Sequence, residues 1–118
     1  MDAYNSTVAE AEQGILSSII SHQPSVGGWM ECLKPSHFSD DRNQVICSNI
    51  MQLCEGGSVI DRLVLQNHLI RNKQLELAGG NEYLRSLDKG ISDPAVFDKY
   101  LEIIHDASIK RVDRRKFK

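Results

Sequence analysis

The paired glycines at positions 79 and 80 are the first feature of this 118-residue chain that suggests a ligand site. Glycine-rich loops bind phosphate groups, but a Walker loop has the pattern GxxxxGK[ST] and needs its lysine to reach the phosphates. Here Asn81 and Glu82 follow the glycines, and the carboxylate of Glu82 would repel an anion. We therefore predict that Gly79 and Gly80 form a tight corner between two helices, where unusual backbone angles are required.

Other residue types that support catalysis are present, but their spacing matches no catalytic or metal-binding pattern. Asp40 and Asp41 are adjacent, so on a helix their carboxylates would point about 100° apart and would not act as a pair. No serine lies in a GxSxG turn, and no HExxH spacing occurs among the four histidines, which are His22, His37, His68 and His105. The sequence therefore predicts no catalytic residue, no metal site and no cofactor site, and favours a binding or assembly module.

Size and composition are typical of one folded domain. The hydrophobic fraction is 41%, which is enough for a single core. The three cysteines, Cys32, Cys47 and Cys54, form no CxxC pair, and an odd, sparse set favours a reducing cytoplasm over a disulfide scaffold. No segment approaches the roughly 18 consecutive apolar residues of a membrane span, and the N-terminal residues do not resemble a secretion signal.

Charge is distributed unevenly along the chain. Residues 1–109 contain 8 Lys or Arg and 15 Asp or Glu, a balance of −7, whereas residues 110–118 contain 6 basic residues and 1 acidic residue. An acidic body repels the phosphates of nucleic acid. The basic tail, KRVDRRKFK, is either a DNA contact or the exposed end of a helix.

Apolar residues recur at helical spacing along most of the chain, and no segment alternates for long enough to predict a strand. We predict an all-α fold with a flexible segment at residues 1–8, a compact multi-helix globular subdomain at residues 9–90, and one further helix at residues 91–118. A weak short helix is expected from Val26 to Leu33, with Trp29 in the core.

Capping residues mark the expected helix boundaries. Thr7 and Glu10 have the spacing of a capping box, and Ser39 or Asp40 can cap the next long helix. Further signals are a glycine stop at Gly56-Gly57, a cap at Asp61 with a staple between Ile60 and Leu65, a helix from about Asn81 to Leu87, and a start at Asp93-Pro94.

The C-terminal helix carries more apolar residues than one packing face requires. A helix that packs only on its own domain needs a stripe about 100° wide. The apolar positions here cover two adjacent faces: Val96, Phe97, Tyr100, Leu101, Ile103, Ile104, Ala107, Ile109 and Val112. We therefore predict that one face packs on the domain and that the other contacts a partner.

Five motifs in a fixed order connect this chain to a known family. They are an AEQ-plus-apolar first helix, a Pro-x-x-Phe turn, an Asp-capped helix, an L-x-x-x-GG-x-x-Y-L corner, and a Y-x-x-I-I helix that leads into arginines. They occupy Ala11 to Gln13, Pro35 to Phe38, Ile60 to Leu69, Leu75 to Leu84, and Tyr100 to Ile104 with Arg111, Arg114 and Arg115. Spread over about residues 9–116, this series resembles the N-terminal domain of DnaB-type replicative DNA helicases.

The resemblance implies a globular helical domain with a protruding helical hairpin. In that family, hairpins of neighbouring subunits pair into a collar on a hexameric motor ring, and the collar contacts primase and, in some systems, a helicase loader. The implied partner-interface residues are Tyr100, Ile103, Ile104, Ala107, Arg111 and Val112, and the implied structural residues are Asp61, Gly79, Gly80 and Pro94.

The motor domain and the second hairpin helix of the family are not part of this sequence. The resemblance therefore implies a truncated hairpin and no ATP hydrolysis or DNA unwinding by this chain, because ATP and Mg²⁺ belong to the motor domain. It also implies a cytoplasmic homo-oligomer from a bacterium, phage or plasmid, with no direct contact to nucleic acid or membrane.

Two alternatives remain open on the sequence. One is a free-standing interaction module, similar to the helicase-binding domain of bacterial primases. The other is a small DNA-binding helical protein that uses the basic tail. Salt-dependent affinity for duplex DNA would identify the second, because each neutralised phosphate releases counterions.

Overall fold

The computed structural model describes residues 3–22, 33–87 and 94–116. Within them, five α-helices and one 3₁₀ turn form, and no strand, which confirms the predicted all-α fold: α1 (Ala3–His22), the 3₁₀ turn (Pro35–His37), α2 (Asp41–Glu55), α3 (Arg62–Arg71), α4 (Gly80–Leu87) and α5 (Pro94–Lys116). The expected helix from Val26, with Trp29, and the expected cap at Asp93 lie outside the described residues.

The first helix begins earlier than predicted. It starts at Ala3, and the Thr7 hydroxyl donates to the Ala3 carbonyl at 2.9 Å, one turn back inside the helix. Thr7 is therefore not a cap, and the expected flexible segment at residues 1–8 is wrong from Ala3 onward. Burial explains the difference. Val8 is only 5% exposed, and its packing in the core stabilises a helix that begins in the turn before it.

The ends of α2 follow local capping chemistry, as predicted. Asp40 caps the start, where its carboxylate accepts the Arg42 backbone N–H at 2.9 Å. At the other end Gly57 has φ +74°, and Ser58 N–H donates to the Leu53 carbonyl at 2.9 Å. This is a Schellman stop, which needs a left-handed residue that glycine supplies without strain.

The start of α3 is also confirmed. Asp61 accepts the Val64 N–H at 2.8 Å, and the predicted staple residues Ile60 and Leu65 are both buried. The helix ends at Arg71 with Asn72 as its C-cap, and Lys73 follows in a left-handed conformation at φ +59°.

The double glycine forms the predicted corner. Gly79 and Gly80 have φ values of +99° and +78°, and the Gly80 N–H donates to the Leu75 carbonyl at 2.9 Å. α4 begins at Gly80, one residue before the predicted start. The corner reverses the chain so that Leu84 and Leu87 of α4 enter the core.

α5 packs along α1 and belongs to the core. Gly14 on α1 makes this possible, because a Cβ there would overlap the ring of Tyr100. Phe97, Leu101 and Ile104 of α5 are members of the main hydrophobic cluster. The part of α5 from Phe97 to Ile104 therefore packs against the globule predicted at residues 9–90, where its apolar stripe covers α1.

A buried carboxylate connects α1 to the start of α2. Glu12 is fully buried, and it accepts hydrogen bonds from the Ser39 N–H at 2.7 Å, the Ser39 hydroxyl at 2.6 Å and the Asn43 amide at 2.9 Å. The Tyr83 hydroxyl of α4 in turn donates to Asn43. One polar network thus fixes the relative positions of α1, α2 and α4.

Candidate partner interface

The inner side of α5 is buried by contacts within the chain. Phe97, Leu101, Ile104 and Ala107 have exposed fractions of 4%, 9%, 0% and 4%. Two of the predicted partner contacts, Ile104 and Ala107, are thus covered within one copy of the chain.

Tyr100 and Ile103 lie on one flank of α5 and are half-buried. They line a cavity of about 300 Å³ between α1, α4 and α5, together with Gly14 and Leu87. The Ser17 hydroxyl of α1 donates to the Leu87 carbonyl beside this cavity. This flank keeps part of its apolar surface accessible, so Tyr100 and Ile103 remain predicted partner contacts.

Ile109, an apolar position of α5 that was not among the predicted partner contacts, is a large exposed apolar residue in the described part of this helix. Its side chain is 60% exposed. At 100° per residue it lies about 140° around the helix from Ile104 and about 120° from Ile103, so it marks a separate outer side. Two ion pairs on α5 are exposed to solvent as well, Lys110 with Asp106 at 3.1 Å and Lys99 with Glu102 at 3.5 Å.

Arg111, another predicted partner contact, makes hydrogen bonds within its own chain. Its guanidinium donates to the carbonyls of Ser36 at 3.3 Å and His37 at 3.1 Å, which fastens α5 to the 3₁₀ turn of the same chain. The side chain of Val112 lies outside the described residues. Of the six predicted interface residues, Tyr100 and Ile103 thus have apolar surface that is free for a partner.

Two histidine rings are in contact beside the hydrogen bonds of Arg111. The rings of His37 and His105 lie edge to face with centroids 4.5 Å apart, and His37 Nδ1 accepts the Lys34 N–H at 3.1 Å. Partial burial lowers the pKa of His37, and the neighbouring His105, Lys34 and Arg111 lower it further. His37 is therefore neutral in the folded state at neutral pH.

We expect the stability of the domain to fall on acidification because of His37. The unfolded chain, where this imidazole has its ordinary pKa, binds the proton more readily than the folded chain, so stability is lost as pH falls through about 6.5. Thermal melts at pH 7.5 and pH 5.5 measure the loss. His37→Asn, whose amide oxygen can also accept the Lys34 N–H, should show a smaller decrease than the wild type, and an equal decrease would contradict this assignment.

Metal binding and thiol chemistry can be judged for the described parts of the chain. No three His, Cys, Asp or Glu side chains among them converge on a point where a metal ion could bind. Burial raises the pKa of the Cys47 thiol to about 12, which leaves it unreactive at neutral pH. None of the helices described is long and apolar enough to cross a membrane.

Comparison with other proteins agrees with this geometry. The sequence profile of the DnaB-like helicase N terminal domain matches residues 4–106. The replicative DNA helicase DnaB of Treponema pallidum is 29% identical over 86% of this chain, and that of Rhodothermus marinus is 29% identical over 87%. The matched parts are 23% and 11% of those proteins, so the chain spans less than a quarter of either relative.

A solved structure has the same fold. The crystal structure of the N-terminal domain of DnaB helicase from Mycobacterium tuberculosis superposes with a TM-score of 0.76 at 24% identity, covering 85% of this chain and 69% of that one. The five motifs, the family profile over most of the chain and the shared helical fold agree. The chain belongs to the family of DnaB-like helicase N-terminal domains.

Proposed function

We propose that this chain is the assembly domain of a replicative DNA helicase, pairing subunits through the outer side of α5 and presenting a surface to primase or to a loader. ATP binding, Mg²⁺ binding and DNA unwinding belong to a motor domain elsewhere in such a protein. The sequence contains no Walker loop, so the isolated domain is expected to lack ATPase activity.

The observation that carries the proposal is the exposure of Ile109 on a helix whose inner side is already covered. An isoleucine that is 60% exposed gains from burial against a partner. The exposed Lys110–Asp106 ion pair lies next to Ile109 on the helix and would form part of the polar rim of such an interface. Tyr100 and Ile103 add a second, partly covered apolar flank on the same helix.

The DNA-binding alternative is less well supported by the same helix. Lys110 pairs with Asp106 and also lies 4.8 Å from the centroid of the Tyr4 ring. Arg111 donates to backbone carbonyls of its own chain. The first two cations of the basic tail are thus engaged within the domain, which lowers their availability for phosphates.

Substitution of Ile109 tests the proposal in the helicase that carries this domain. We expect Ile109→Asp to weaken ring assembly, because a carboxylate would have to be desolvated in the subunit contact. Sedimentation velocity should show the hexamer of the unsubstituted protein shifting to smaller species. Leu63→Asp on α3, where Leu63 is 62% exposed, is the matched control and should leave the hexamer intact.

An unchanged hexamer in Ile109→Asp would contradict pairing through this side of α5. The isolated domain with the same substitution should keep its thermal midpoint, since Ile109 contributes little to the core. Substitution of Ile104, in contrast, would test only folding, because that side chain is fully buried.

A further inference from the structure

The outer face of α3 has two large apolar side chains in one line. Leu63 is 62% exposed and Ile70 is 51% exposed, whereas Leu65 and Leu69 on the inner side are fully buried. Seven residues make about two helical turns, so Leu63 and Ile70 lie roughly 10 Å apart on the same side of the helix. Two solvent-exposed anchors at this spacing match the contact positions of a second helix.

The helix that presents these side chains is held firmly. Asp61 caps its start, and His68 Nε2 lies 2.9 Å from the Gln52 amide oxygen of α2. Asn72 at its end donates to the Asn49 amide oxygen at 3.0 Å. A partner would therefore bind a preformed surface, and this chain would lose little conformational entropy on binding.

The charge of α3 and the two residues after it differs from that of the rest of residues 1–109. Residues 62–73 contain Arg62, Arg71 and Lys73 and no acidic residue, within a body whose balance over residues 1–109 is −7. Of the nearest acidic residues along the chain, Asp61 uses its carboxylate as the helix cap and Glu76 lies beyond the turn. Arg71 and Lys73 are exposed next to Ile70.

We propose that Leu63, Ile70, Arg71 and Lys73, here called the α3 patch, dock an acidic amphipathic helix of another protein. This inference rests on the proposed function and specifies the chemistry of its partner. Leu63 and Ile70 bury the apolar stripe of the incoming helix, and Arg71 and Lys73 pair with carboxylates at its edge, which favours correct orientation and fast association.

The chemistry of the α3 patch argues against two other occupants. Nucleic acid would pair with the cations but would gain nothing from two exposed aliphatic side chains. In a two-fold symmetric contact between two copies, a residue of one copy meets a different residue of the other. With Leu63 against Ile70 of the second copy, Arg71 would lie near Arg62 of that copy, and like charges repel. An acidic helix satisfies both the apolar and the basic part of the surface.

A synthetic peptide of about 18 residues tests the inference. It carries leucines at i, i+3 and i+7 spacing and glutamates on the flanks, with a fluorescent label, and it is titrated with the 118-residue chain in fluorescence anisotropy. We expect saturable binding that weakens as salt is raised. A peptide with lysines for the glutamates and one with serines for the leucines should each bind at least about tenfold more weakly.

Variants of the chain locate the binding site. Leu63→Ser and Ile70→Ser should each weaken binding of the acidic peptide about tenfold, and Arg71→Glu should weaken it and reduce its salt dependence. Ile109→Ser, an exposed isoleucine on α5, is the matched control and should bind like the wild type. All four side chains are exposed, so folding should be unaffected, which circular dichroism checks.

Three outcomes would overturn the inference: no binding of the acidic peptide, equal binding of the lysine peptide, or binding unaffected by the α3 substitutions. Binding of duplex DNA, or self-association of the chain lost in Leu63→Ser, would assign the patch to the rejected occupants. The Ile109→Asp experiment on ring assembly is independent of peptide binding. Peptide binding can fail while subunit pairing through α5 is upheld, and subunit pairing can fail while peptide binding is upheld.

Discussion

Replacing Glu12 with glutamine is expected to lower the free energy of unfolding by about 3 kcal/mol. The carboxylate is fully buried and accepts from both the N–H and the hydroxyl of Ser39 and from the Asn43 amide. A glutamine keeps the shape but loses the charge, and its own NH₂ group would face donors. At least one buried donor would then lack an acceptor, which costs more than the lost hydrogen bond alone.

Differential scanning calorimetry measures the effect as a decrease of roughly 10–15 °C in the thermal midpoint for a domain of this size. Glu10→Gln is the matched control, because Glu10 is exposed on the same helix two residues earlier. Its effect should stay within about 0.5 kcal/mol. If both variants melted alike, Glu12 would not be the residue that joins α1 to the start of α2.

Gly79→Ala is expected to be about as damaging, at about 3 kcal/mol. A left-handed backbone costs an L-residue about 1–2 kcal/mol, and Gly79 has φ +99°. In addition, the new Cβ would lie 2.8 Å from the Tyr83 Cβ, so the corner or α4 must shift. Tyr83 cannot move freely, since its hydroxyl donates to Asn43 and Arg42 stacks 4.0 Å from its ring centroid.

Substitutions at two other glycines separate the cost of backbone strain from the cost of the contact with Tyr83. Gly80 and Gly57 also have positive φ values, +78° and +74°, but a Cβ at either meets nothing within 4 Å. Gly80→Ala and Gly57→Ala should therefore each cost only the backbone strain, about 1–2 kcal/mol. Chemical denaturation of the three variants ranks them, and equal losses at all three positions would show that the Tyr83 contact is unimportant.

The features that the sequence predicted well are those determined within a few residues. The cap at Asp61, the stop at Gly57 and the corner at Gly79 all depend on bonds that span at most five positions. Such patterns are visible in the chain because the donor, the acceptor and the required backbone angle are close together in sequence.

The features that the sequence did not predict depend on distant partners. Glu12 was noted only as part of a motif, because its donors lie 27 to 31 residues away. Thr7 has correct local spacing for a cap, but the burial of Val8 extends the helix past it. A glutamate that is flanked on both sides by core positions of one helix is the signal that could have identified a buried carboxylate.

The candidate interface illustrates the same limit. The number of apolar residues on α5 predicted more apolar surface than one packing face requires. It could not show that α1 would cover Ile104 and Ala107, or that Ile109 would stay exposed, because that choice depends on the angle at which α5 crosses α1. Gly14 permits the close approach of Tyr100, and with it fixes which side of α5 turns outward.

Thiol labelling at position 109 tests the proposed pairing most directly. Ile109→Cys is introduced into the proposed full-length helicase and into the isolated domain, and the rate of maleimide modification is compared with that of the unsubstituted protein. Leu63→Cys, at an equally exposed site on α3, serves as the reference. We expect rapid labelling at both positions in the isolated domain, and protection of position 109 alone when the ring assembles. Equal labelling of position 109 in the ring and in the isolated domain would contradict the assignment of α5 as the surface that joins subunits.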